Sequence, residues 1–545
     1  MGQAASGRNV FHLLPRVVQT AIAEIGIGSP TEIQNRAIPI ILDGHDALLV
    51  APTGTGKTEA ALLPILSMFL CGERKDGISI LYITPLRALN RDMMNRLTRL
   101  CAELKISVAV RHGDTPQRDR RRQAEHPPNL LITTPETLQA ILPSRLIRES
   151  PVRWVVIDEI HQLVENKRGT QLTIGLERLS ELTGQPFQRV GLSATVGDTR
   201  AVAKFLRGSS RRVKIVEAKQ NKEMRYSIEF PFPEDEDQIL AQTLYTAPEA
   251  AARIGRIKEL IDIHRSTLIF VNSRQHAEML GLRLGMLDKR IGVHHGSLSK
   301  EERAKIESEL KAGRLSGIVC TSTLELGIDI GSVDLAIQYL SPRRVTSLIQ
   351  RTGRSGHRLG LVSKGIVLCA SADDLLETMA IVRRAQANVL EAASNPTNVL
   401  DVLCHQMVGL VMDWGKVTVK RAFSIVRRAA PYSRLAYSDF ASILEYGKAS
   451  GLVESDGEEI QRARRSRFYY YQNLSMIPDE RRYSIIDVTS QKKVGILGEE
   501  FIVTKAKVGL HFICRGRVWE IIKMGEDENV YVIPAEDPTA AILGW

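Results

Sequence analysis

The sequence predicts an α/β fold with two successive parallel sheets, followed by a helical segment and a β-rich segment. Apolar stretches of strand length alternate with helix-like stretches in both halves of residues 1–390, a pattern typical of parallel sheets with flanking helices. A glycine-rich loop follows the first strong apolar stretch. From Tyr483 onward, short apolar stretches follow each other closely, which indicates a curled sheet or barrel.

The first predicted strand leads directly into a phosphate-binding loop. Asp46–Val50 is apolar, and Ala51-Pro-Thr-Gly-Thr-Gly-Lys-Thr58 precedes a helix-like run. Strand, loop and helix are the context this motif needs, because loop N–H groups at a helix N-terminus favour negative charge. Lys57 suits the β- and γ-phosphates, and the Thr58 hydroxyl suits Mg²⁺. The predicted nucleotide-binding residues of this loop are Thr53, Gly54, Thr55, Gly56, Lys57 and Thr58.

A second apolar strand carries two carboxylates. Arg153–Ile157 ends immediately before Asp158 and Glu159, and ligands collect at the C-terminal edge of a parallel sheet. A lone Asp-Glu pair after a strand would usually cap a helix, but the upstream phosphate loop favours catalysis. Asp158 suits Mg²⁺, and Glu159 suits polarising the attacking water, since phosphoryl transfer depends on positioning and charge neutralisation. The sequence therefore predicts a nucleoside triphosphate hydrolase.

Composition is that of an intracellular protein with a polyanionic partner. The chain has 545 residues, enough for three to four domains, and its net charge of +11 favours nucleic acid. Its six cysteines form no Cys-x-x-Cys pair, which indicates reduced thiols and argues against zinc or an iron–sulfur cluster. No apolar run approaches the ~20 residues of a membrane span. We expect a cytoplasmic monomer with no membrane partner, associated with the nucleoid if prokaryotic.

A second set of strands follows without a second phosphate loop. Four apolar stretches, 266–271, 317–321, 335–339 and 365–369, predict its sheet. This half has a different glycine-rich motif, Gln350-Arg-Thr-Gly-Arg-Ser-Gly-His357, which contains a cluster of basic side chains.

These motifs, in this order, resemble those of superfamily 2 helicases, which implies two tandem RecA-like domains that bind ATP and Mg²⁺. The resemblance implies that Gln34, whose amide offers a donor and an acceptor, reads adenine and that Phe11 stacks on it. It places Asp329 on the ribose or on an arginine. It also implies that Arg351 and Arg354 of the second domain contact the γ-phosphate of ATP bound to the first. Arginines in this position increase the rate of hydrolysis by ~10³–10⁵-fold. The related DEAD-box pattern has Arg at His357, so Arg354 is the expected finger.

The resemblance also implies a path for a single strand. Contacts of this kind are mostly to phosphates, so binding should tolerate sequence and weaken with salt. Ser193 and Thr195, in Ser193-Ala-Thr195, would couple hydrolysis to strand grip. The expected strand-binding residues are Thr84, Arg87, Gly113, Asp114 and Thr134 in the first domain and Ser273, Arg274, Gly296, Thr321 and Thr323 in the second. Arg118-Asp-Arg-Arg-Arg122 would either extend this path or form a solvated helix face.

The C-terminal third predicts a winged helix and a β-rich domain. Asn395–Val411 suggests an amphipathic helix after a Pro turn, segments near Phe423–Tyr432 and Tyr437–Tyr446 suggest further helices, and Gly451–Val453 suggests the strand before a wing. In helicases this module packs on the motor. The predicted β segments that follow are 483–488, 494–497, 500–503, 512–514, 518–522 and 530–533.

Two aromatic groups in this third have alternative interpretations. Trp519, near Arg515 and Arg517, would either stack on an exposed base or pack in the core. At least one of Tyr469, Tyr470 and Tyr471, interpreted as an alternating strand, should face the core. The predicted domains are 1–218 and 219–390 (RecA-like), 391–462 (winged helix) and 463–545 (β-rich).

The turn motif, Pro431-Tyr432 and the β segment together resemble the core of the large helicase-related (Lhr) family over essentially the whole chain. The resemblance implies a DNA-dependent ATPase that moves 3′ to 5′ and unwinds DNA or RNA–DNA duplexes in repair. Its partners would be single-stranded or tailed duplex DNA, an RNA–DNA hybrid or RNA. Family members usually continue past a segment like Pro538–Trp545, so we expect the last domain to be incomplete. Two alternatives stay open: an RNA helicase, and an annealing or binding protein whose ATPase only regulates grip.

Overall fold

The computed structural model describes most of the chain in two compact units. Each unit is a group of residues that contact one another. The first consists of Met1–Gln220 and Ala392–Pro478, and the second consists of Asn221–Glu391 and Asp479–Trp545. Each unit joins one parallel sheet to one part of the C-terminal third. The described residues are 9–52, 54–85, 97–208, 212–218, 223–325, 333–356, 362–392, 394–476, 481–525, 528–537 and 541–542.

The first unit contains a parallel sheet of seven described strands. Their order is β3-β4-β2-β5-β6-β1-β7, where the strands are β1 Asp46–Val50, β2 Ile80–Ile83, β3 Val108–Arg111, β4 Leu130–Thr133, β5 Trp154–Ile157, β6 Gln188–Ser193 and β7 Val213–Glu217. β1, β2, β4 and β5 are buried along their whole length, as expected of apolar strands covered on both faces. The covering helices are Arg16–Glu24, Glu32–Leu42, Lys57–Cys71, Gln117–Glu125, Pro135–Ile141, Arg145–Arg148, His161–Val164, Lys167–Thr183 and Thr199–Arg207.

The second unit contains a parallel sheet of six described strands. Their order is β10-β11-β9-β12-β13-β8, where the strands are β8 Met224–Glu229, β9 Thr267–Phe270, β10 Ile291–His294, β11 Gly317–Cys320, β12 Leu335–Tyr339 and β13 Ser363–Leu368. The four strands predicted for this half are therefore confirmed. The helices are Asp235–Thr243, Pro248–Asp262, Arg274–Leu287, Lys300–Lys311, Val345–Thr352 and Ala372–Gln386.

A winged helix belongs to the first unit. Its sheet has the order β14-β16-β15, with β14 Lys416–Thr418, β15 Val453–Ser455 and β16 Glu459–Arg462. The helix predicted within 395–411 is confirmed, but it begins and ends a few residues later and is buried on all sides rather than amphipathic. The helix runs from Leu400 to Trp414 and is buried from Val402 through Asp413, because it packs against Lys167–Thr183 and against three helices of its own domain. The other helices of this domain are Val419–Arg428, Tyr437–Ala449 and Ser466–Gln472.

A mixed six-stranded sheet completes the second unit. Its order is β18-β17-β21-β20-β19-β22, with β17 Arg482–Asp487, β18 Lys492–Gly498, β19 His511–Cys514, β20 Arg517–Met524, β21 Asn529–Ala535 and β22 Ala541–Ile542. The strand predicted at 500–503 is wrong: Glu499–Thr504 is a helix with two acidic residues in its first turn. Val503 is 77% exposed there, so only Phe501 of this segment is buried in the core.

A buried guanidinium joins the winged helix to the first parallel-sheet domain. Arg178, in helix Lys167–Thr183, forms a two-point ion pair with Asp413 through Nε at 2.7 Å and Nη2 at 2.8 Å, and neither side chain is exposed. The guanidinium also donates to Gln139 at 2.9 Å and to Gln406 at 3.0 Å. At Gly409 a Cβ would lie 2.4 Å from Arg178 Nη1, so the glycine is what allows this close approach. The expectation that the winged helix packs on the motor is confirmed.

A buried histidine lies in the same network. His405 Nε2 donates to the Tyr470 carbonyl at 3.1 Å, and Nδ1 accepts from the amides of Gln406 at 3.1 Å and Gln171 at 3.4 Å. These partners require the neutral ring. Burial, with a smaller contribution from Arg178, lowers the pKa of His405 to about 4.

A buried carboxylate joins the two domains of the second unit. Glu278, in helix Arg274–Leu287, accepts from His295 Nε2 at 2.6 Å and from the backbone N–H groups of Arg515 at 2.6 Å and Gly516 at 2.5 Å. Both turn residues have φ 63°, the conformation of a two-residue hairpin turn between β19 and β20. The β-rich domain is thus attached through the turn that this carboxylate caps.

We predict that Arg178→Met lowers the free energy of unfolding of the first unit by about 3–5 kcal/mol, because Asp413 is left charged and buried without its partner. Combining Arg178→Met with Asp413→Leu should cost less than Arg178→Met alone. Urea denaturation followed by circular dichroism measures both. Arg421→Met is the matched control, since Arg421 pairs with Glu181 at the surface, and it should cost no more than ~1 kcal/mol. Equal costs for Arg178→Met and the control would contradict the prediction.

We also predict an acid-sensitive contribution from His405. Its pKa is about 4 in the folded state and about 6.5 in the unfolded state, so the unfolded chain binds the extra proton between these values. Its contribution should be complete above pH 6.5 and decline as the pH falls towards 4, by at most ~3 kcal/mol. His405→Gln should flatten the pH dependence of unfolding in this window, relative to exposed His126→Gln. An unchanged slope would contradict this role.

Candidate nucleotide and strand site

The C-terminal edge of the first sheet is divided into two halves. The phosphate loop, Asp158 and Ser193 stand at the ends of β1, β5 and β6, which are neighbours in the sheet. Thr84, Thr134 and the pair Gly113–Asp114 follow the ends of β2, β4 and β3, which are neighbours on the other side. Strand order therefore separates the predicted nucleotide residues from the predicted strand residues, and β2 and β5 bring the two groups into contact.

The phosphate loop closes on its own lysine. Lys57 is buried, and its Nζ donates to the carbonyls of Ala51 at 2.6 Å and Pro52 at 2.9 Å. Gly54 and Gly56 have φ of 79° and 82°, which only glycine adopts without strain, and Gly56 is the N-cap of helix Lys57–Cys71. The ammonium group is therefore held at the loop mouth, at a helix N-terminus that favours anions. Thr53 lies outside the described residues.

Gln34 organises the loop from the adjacent helix. Its Oε1 accepts from the Thr31 N–H at 3.0 Å in a capping box, and its Nε2 donates to the Gly56 carbonyl at 3.2 Å. Thr31 Oγ1 also donates to the Thr55 carbonyl at 2.9 Å. Gln34 thus lies against the phosphate loop, and its contact with adenine stays a prediction. Phe11 is only 4% exposed and packs in the core, so the structure does not support its predicted stacking on the base.

Two buried carboxylates lie opposite the loop. Asp158 and Glu159 are 6% and 5% exposed, and Glu159 has φ 44°, a strained conformation for a non-glycine residue. Burial and the neighbouring Glu159 charge raise the pKa of Asp158 above its usual range, against the opposing effect of Lys57. The Tyr82 hydroxyl lies beside Asp158 and Thr58, and burial raises its pKa well above 10. A cation at these oxygens would offset the crowded negative charge, and carboxylate and hydroxyl oxygens are ligands that suit Mg²⁺.

His161 connects this site to Ser193-Ala-Thr195. Its Nδ1 accepts from the Ala194 N–H at 3.3 Å and lies 3.4 Å from Glu159 Oε2. Burial and then Lys57 lower the pKa of His161 to about 3, so the ring is neutral and its approach to Glu159 is not an ion pair. Ser193 is buried and Thr195 exposed, and the Ser193 carbonyl accepts from the Ala51 N–H at 3.2 Å. The predicted coupling segment thus contacts the loop and, through His161, lies next to Glu159.

An arginine that the sequence analysis missed ties together the strand half of the edge. Arg168 donates to Glu136 at 2.5 Å and to the Pro85 carbonyl at 2.8 Å. It therefore joins the segment after Thr84 to the helix that Thr134 caps through its hydroxyl. Gly113 and Asp114 are exposed, and Arg87 lies outside the described residues.

The second unit brings its own predicted strand residues to one edge. Ser273, Gly296 and Thr321 follow the ends of β9, β10 and β11, which are neighbours in the order β10-β11-β9. Thr323 Oγ1 lies 2.9 Å from His294 Nδ1, and a Cβ on Gly296 would lie 3.9 Å from Arg274 Nη2.

The two predicted γ-phosphate arginines are held inside the second unit. Arg351 donates to Gln338 at 2.6 Å, to Asn272 at 3.1 Å and to Glu325 at 3.2 Å. Arg354 Nε donates to the Glu325 carbonyl at 3.0 Å, and both side chains are buried. Their contact with a nucleotide stays a prediction, as does the role of Asp329, which lies outside the described residues together with His357.

Two aromatic predictions are corrected here. Trp519 is 3% exposed, packs in the core of the β-rich domain and donates from Nε1 to the Cys514 carbonyl at 2.8 Å. Of its two interpretations, core packing is therefore confirmed and stacking on a base is wrong. Tyr469–Tyr471 lie on a helix rather than a strand, and Tyr470 is the one that faces the core. The basic run Arg118–Arg122 lies on helix Gln117–Glu125, where Arg118, Arg121 and Arg122 are exposed.

Among the described residues, no group of three or more His, Cys, Asp or Glu side chains is arranged to hold a metal ion. None of the described helices combines the length and the apolar character needed to cross a membrane. The six cysteines are all free thiols, and five of them are buried.

The comparisons with known proteins agree with this geometry. Residues 31–203 match the DEAD/DEAH box helicase family, 252–359 the helicase conserved C-terminal domain, and 383–542 the large helicase-related protein winged helix domain. The chain is 36% identical to ATP-dependent helicase Lhr-Core protein 2 of Thermococcus barophilus, over 95% of this chain and 63% of that protein. It is 34% identical to Lhr helicase/uracil glycosylase of Escherichia coli, over 95% of this chain and 38% of that protein.

A solved structure gives the same result. The structure of Mycobacterium smegmatis helicase Lhr bound to ssDNA and AMP-PNP matches with a TM-score of 0.76 and 32% identity, over 92% of this chain and 67% of that one. The fold and the site define the class, a superfamily 2 helicase. Within that class, the chain belongs to the large helicase-related (Lhr) family. It spans less than two thirds of the length of the curated relatives it matches.

We predict that Gly56→Ala destabilises the nucleotide-free protein more than Gly54→Ala does. Both positions have φ near 80°, but a Cβ at 56 would lie 2.4 Å from Gln34 Nε2, whereas at 54 nothing lies within 4 Å. Displacing Gln34 breaks its bond to Gly56 and disturbs the capping box, an extra cost of ~1–2 kcal/mol. Thermal unfolding of both variants, with and without Gln34→Ala, measures this. The extra cost should vanish with Gln34→Ala, and its persistence would contradict the role of Gln34.

Proposed function

We propose that this chain is an ATP-dependent translocase that moves 3′ to 5′ on single-stranded DNA and unwinds DNA or RNA–DNA duplexes during repair. The observation that carries the proposal is the divided edge of the first sheet, with nucleotide residues on β5, β6 and β1 beside strand residues on β3, β4 and β2. A change at the phosphates can then reach the strand through contacting segments of one sheet. The family resemblance supplies the direction and the repair setting.

In this proposal each residue of the nucleotide half has one task. Lys57 leaves the carbonyls of Ala51 and Pro52 for the β- and γ-phosphates. Thr58 and Asp158 would hold Mg²⁺, which would supply positive charge to the phosphate oxygens. Glu159 orients the attacking water, and neutral His161 adds no positive charge that would weaken it as a base. Arg351 and Arg354 exchange their contacts in the second unit for the γ-phosphate.

The strand contacts proposed for both units are phosphate contacts and do not distinguish DNA from RNA by themselves. DNA is preferred because the related mycobacterial Lhr was solved with ssDNA. We place the protein in the cytoplasm, as a monomer, on the basis of its free thiols and the absence of a long heptad pattern.

The test measures strand-stimulated ATP hydrolysis and the unwinding of duplexes with a 3′ or 5′ tail, in DNA and hybrid form. Lys57→Ala and Glu159→Gln should each lower hydrolysis by at least ~100-fold. The first removes a cation aimed at the charge that develops on the phosphates, and the second removes the base that orients the attacking water. Both should abolish unwinding, which in the wild type should require the 3′ tail. Lys214→Ala and Glu217→Gln, on β7 of the same sheet, are exposed controls and should retain activity.

Three results would contradict the proposal. Unwinding that requires a 5′ tail would reverse the direction. Stimulation by RNA alone would favour the RNA helicase alternative. Strand-stimulated hydrolysis without unwinding, together with annealing that Lys57→Ala retains, would favour the ATP-regulated annealing protein.

A further inference from the structure

Two hydroxyls among the predicted strand residues of the second unit are paired with histidine rings. Thr323 Oγ1 lies 2.9 Å from Nδ1 of His294, and Ser273 Oγ lies 2.8 Å from Nδ1 of His276. A hydroxyl has one proton to donate, and a phosphate oxygen only accepts. The protonation state of each ring therefore decides whether its hydroxyl has a proton left for a strand phosphate.

A carboxylate fixes the tautomer of His294. Glu307, on helix Lys300–Lys311, lies 3.0 Å from Nε2 of this ring, which is 1% exposed. A carboxylate only accepts, so Nε2 carries the proton of the neutral ring and Nδ1 offers a lone pair. The Thr323 hydroxyl is placed to donate to this lone pair. While it does so, it presents only its own lone pairs to an incoming phosphate.

Protonation of His294 reverses this hydrogen bond. Both nitrogens of a charged imidazole donate, so Nδ1 donates to Thr323 Oγ1 and releases the hydroxyl proton for another acceptor. That proton can reach the His294 carbonyl at 3.3 Å, a longer contact that a phosphate oxygen can replace. The added proton comes from the solvent, and the Glu307 carboxylate stabilises the charge of the ring.

The groups that face His294 act on its protonation in opposite directions. Burial lowers the pKa of His294, the hydrogen bond and charge of Glu307 raise it, and Arg303 and His295 lower it further, so that it lies below its usual value. Cys320, its neighbour on β11, is a neutral thiol because burial raises its pKa. Without a strand the ring is therefore neutral near pH 7, and the negative charge of a phosphate beside it favours the protonated form.

We infer that His294 is a positioning residue for Thr323, and that a strand phosphate binds there together with one proton on the His294 ring. Glu307 orients the ring and stabilises its charge, and the Thr323 hydroxyl transmits the change to the phosphate. The strand is therefore held more tightly at lower pH. The inference rests on the proposed function only in the contact between Thr323 and a strand phosphate.

Ser273 provides an internal comparison. Its hydroxyl pairs with His276 and also accepts from the His276 backbone N–H at 3.2 Å. Burial alone shifts the pKa of His276 downward, and among the described residues no carboxylate contacts this ring. Nothing of that kind stabilises a charged His276, so proton uptake belongs to His294.

The first test measures binding of a fluorescent oligo-dT strand to the full chain by anisotropy as a function of pH, at constant ionic strength and without ATP. Wild-type affinity should fall as the pH rises above the pKa of His294, by up to about tenfold per pH unit, the limit for one proton. His294→Gln should abolish this slope. His264→Gln is the matched control and should retain it, because His264 is bonded to the Leu260 carbonyl before β9 begins.

Variants of Thr323 and Glu307 separate positioning from packing. Thr323→Val removes the hydroxyl at nearly constant shape, so it should weaken binding by about tenfold at acidic pH and lose the slope. Thr323→Ser keeps the hydroxyl and should keep the slope. Glu307→Gln retains an acceptor for Nε2 without the charge, so the slope should move to lower pH. A ring that served only packing would leave the position of the slope unchanged in Glu307→Gln.

A count of protons gives a readout independent of affinity. Titration calorimetry in two buffers with different ionisation enthalpies measures the protons taken up when the same strand binds. The wild type should take up protons, up to one per Thr323 contact, whereas His294→Gln and Thr323→Val should take up none. Equal uptake by the wild type and His294→Gln, or loss of uptake in His276→Gln, would overturn the inference.

The outcomes separate this inference from the proposed function. Proton-linked strand binding that depends on His294, in a protein that does not unwind duplexes, would support the inference and contradict the proposed function. Unwinding that requires a 3′ tail, together with a strand affinity independent of pH, would overturn the inference alone. Wild-type affinity and slope in Thr323→Val would remove Thr323 from the strand path and overturn the inference as well.

Discussion

The ion pair between Arg178 and Asp413 is the interaction on which the first unit depends. Two charges without exposure to water are costly to bury, and they persist because the guanidinium is fully surrounded by acceptors from both domains. The pair fixes the helix Leu400–Trp414 against Lys167–Thr183, and Tyr470 extends the network to helix Ser466–Gln472. The winged helix is thus part of the motor domain's core rather than an appended module.

The second unit uses the same principle with the opposite charge. Glu278 satisfies two N–H groups of a hairpin turn and a histidine of His295-Gly-Ser297, a segment predicted to contact the strand. In each unit, one buried charged residue of the parallel-sheet domain holds the accessory domain. Because of this attachment, each accessory domain is fixed relative to the predicted strand-binding residues of its own unit.

The sequence could predict what depends on local pattern. The central strands β1, β5, β9 and β12 are largely apolar and are buried along their whole length, so pattern and structure agree there. Predictions failed where tertiary contacts decide. Helix Leu400–Trp414 packs against neighbours on more than one side, so more of its residues are buried than the single apolar face of an amphipathic helix would bury. At Glu499–Thr504 the alternation of the sequence resembles a strand, but the two leading acidic residues favour the start of a helix.

The candidate site likewise contains residues that local sequence patterns predict and residues that only tertiary contacts bring there. The phosphate loop and Asp158–Glu159 are contiguous motifs whose chemistry follows from their spacing. Tyr82 and Arg168 have no such signal, because a tyrosine in an apolar strand predicts a core residue and an arginine in a helix predicts a surface residue. Tyr82 reaches the site because β2 lies beside β5, and Arg168 reaches it because helix Lys167–Thr183 packs on helix Pro135–Ile141. His161 did carry a signal, as the last residue of Asp158-Glu-Ile-His161, but its link to Ala194 needed the order of β5 and β6.

The central claim is that nucleotide and strand occupy two halves of one sheet edge and are therefore energetically linked. The most direct test titrates the full chain with a fluorescent single strand, with and without a non-hydrolysable ATP analogue, and then the analogue with and without the strand. Each ligand should change the affinity of the other by the same factor, on the order of 5- to 150-fold, since linkage is reciprocal. Affinities that do not depend on the other ligand would contradict it.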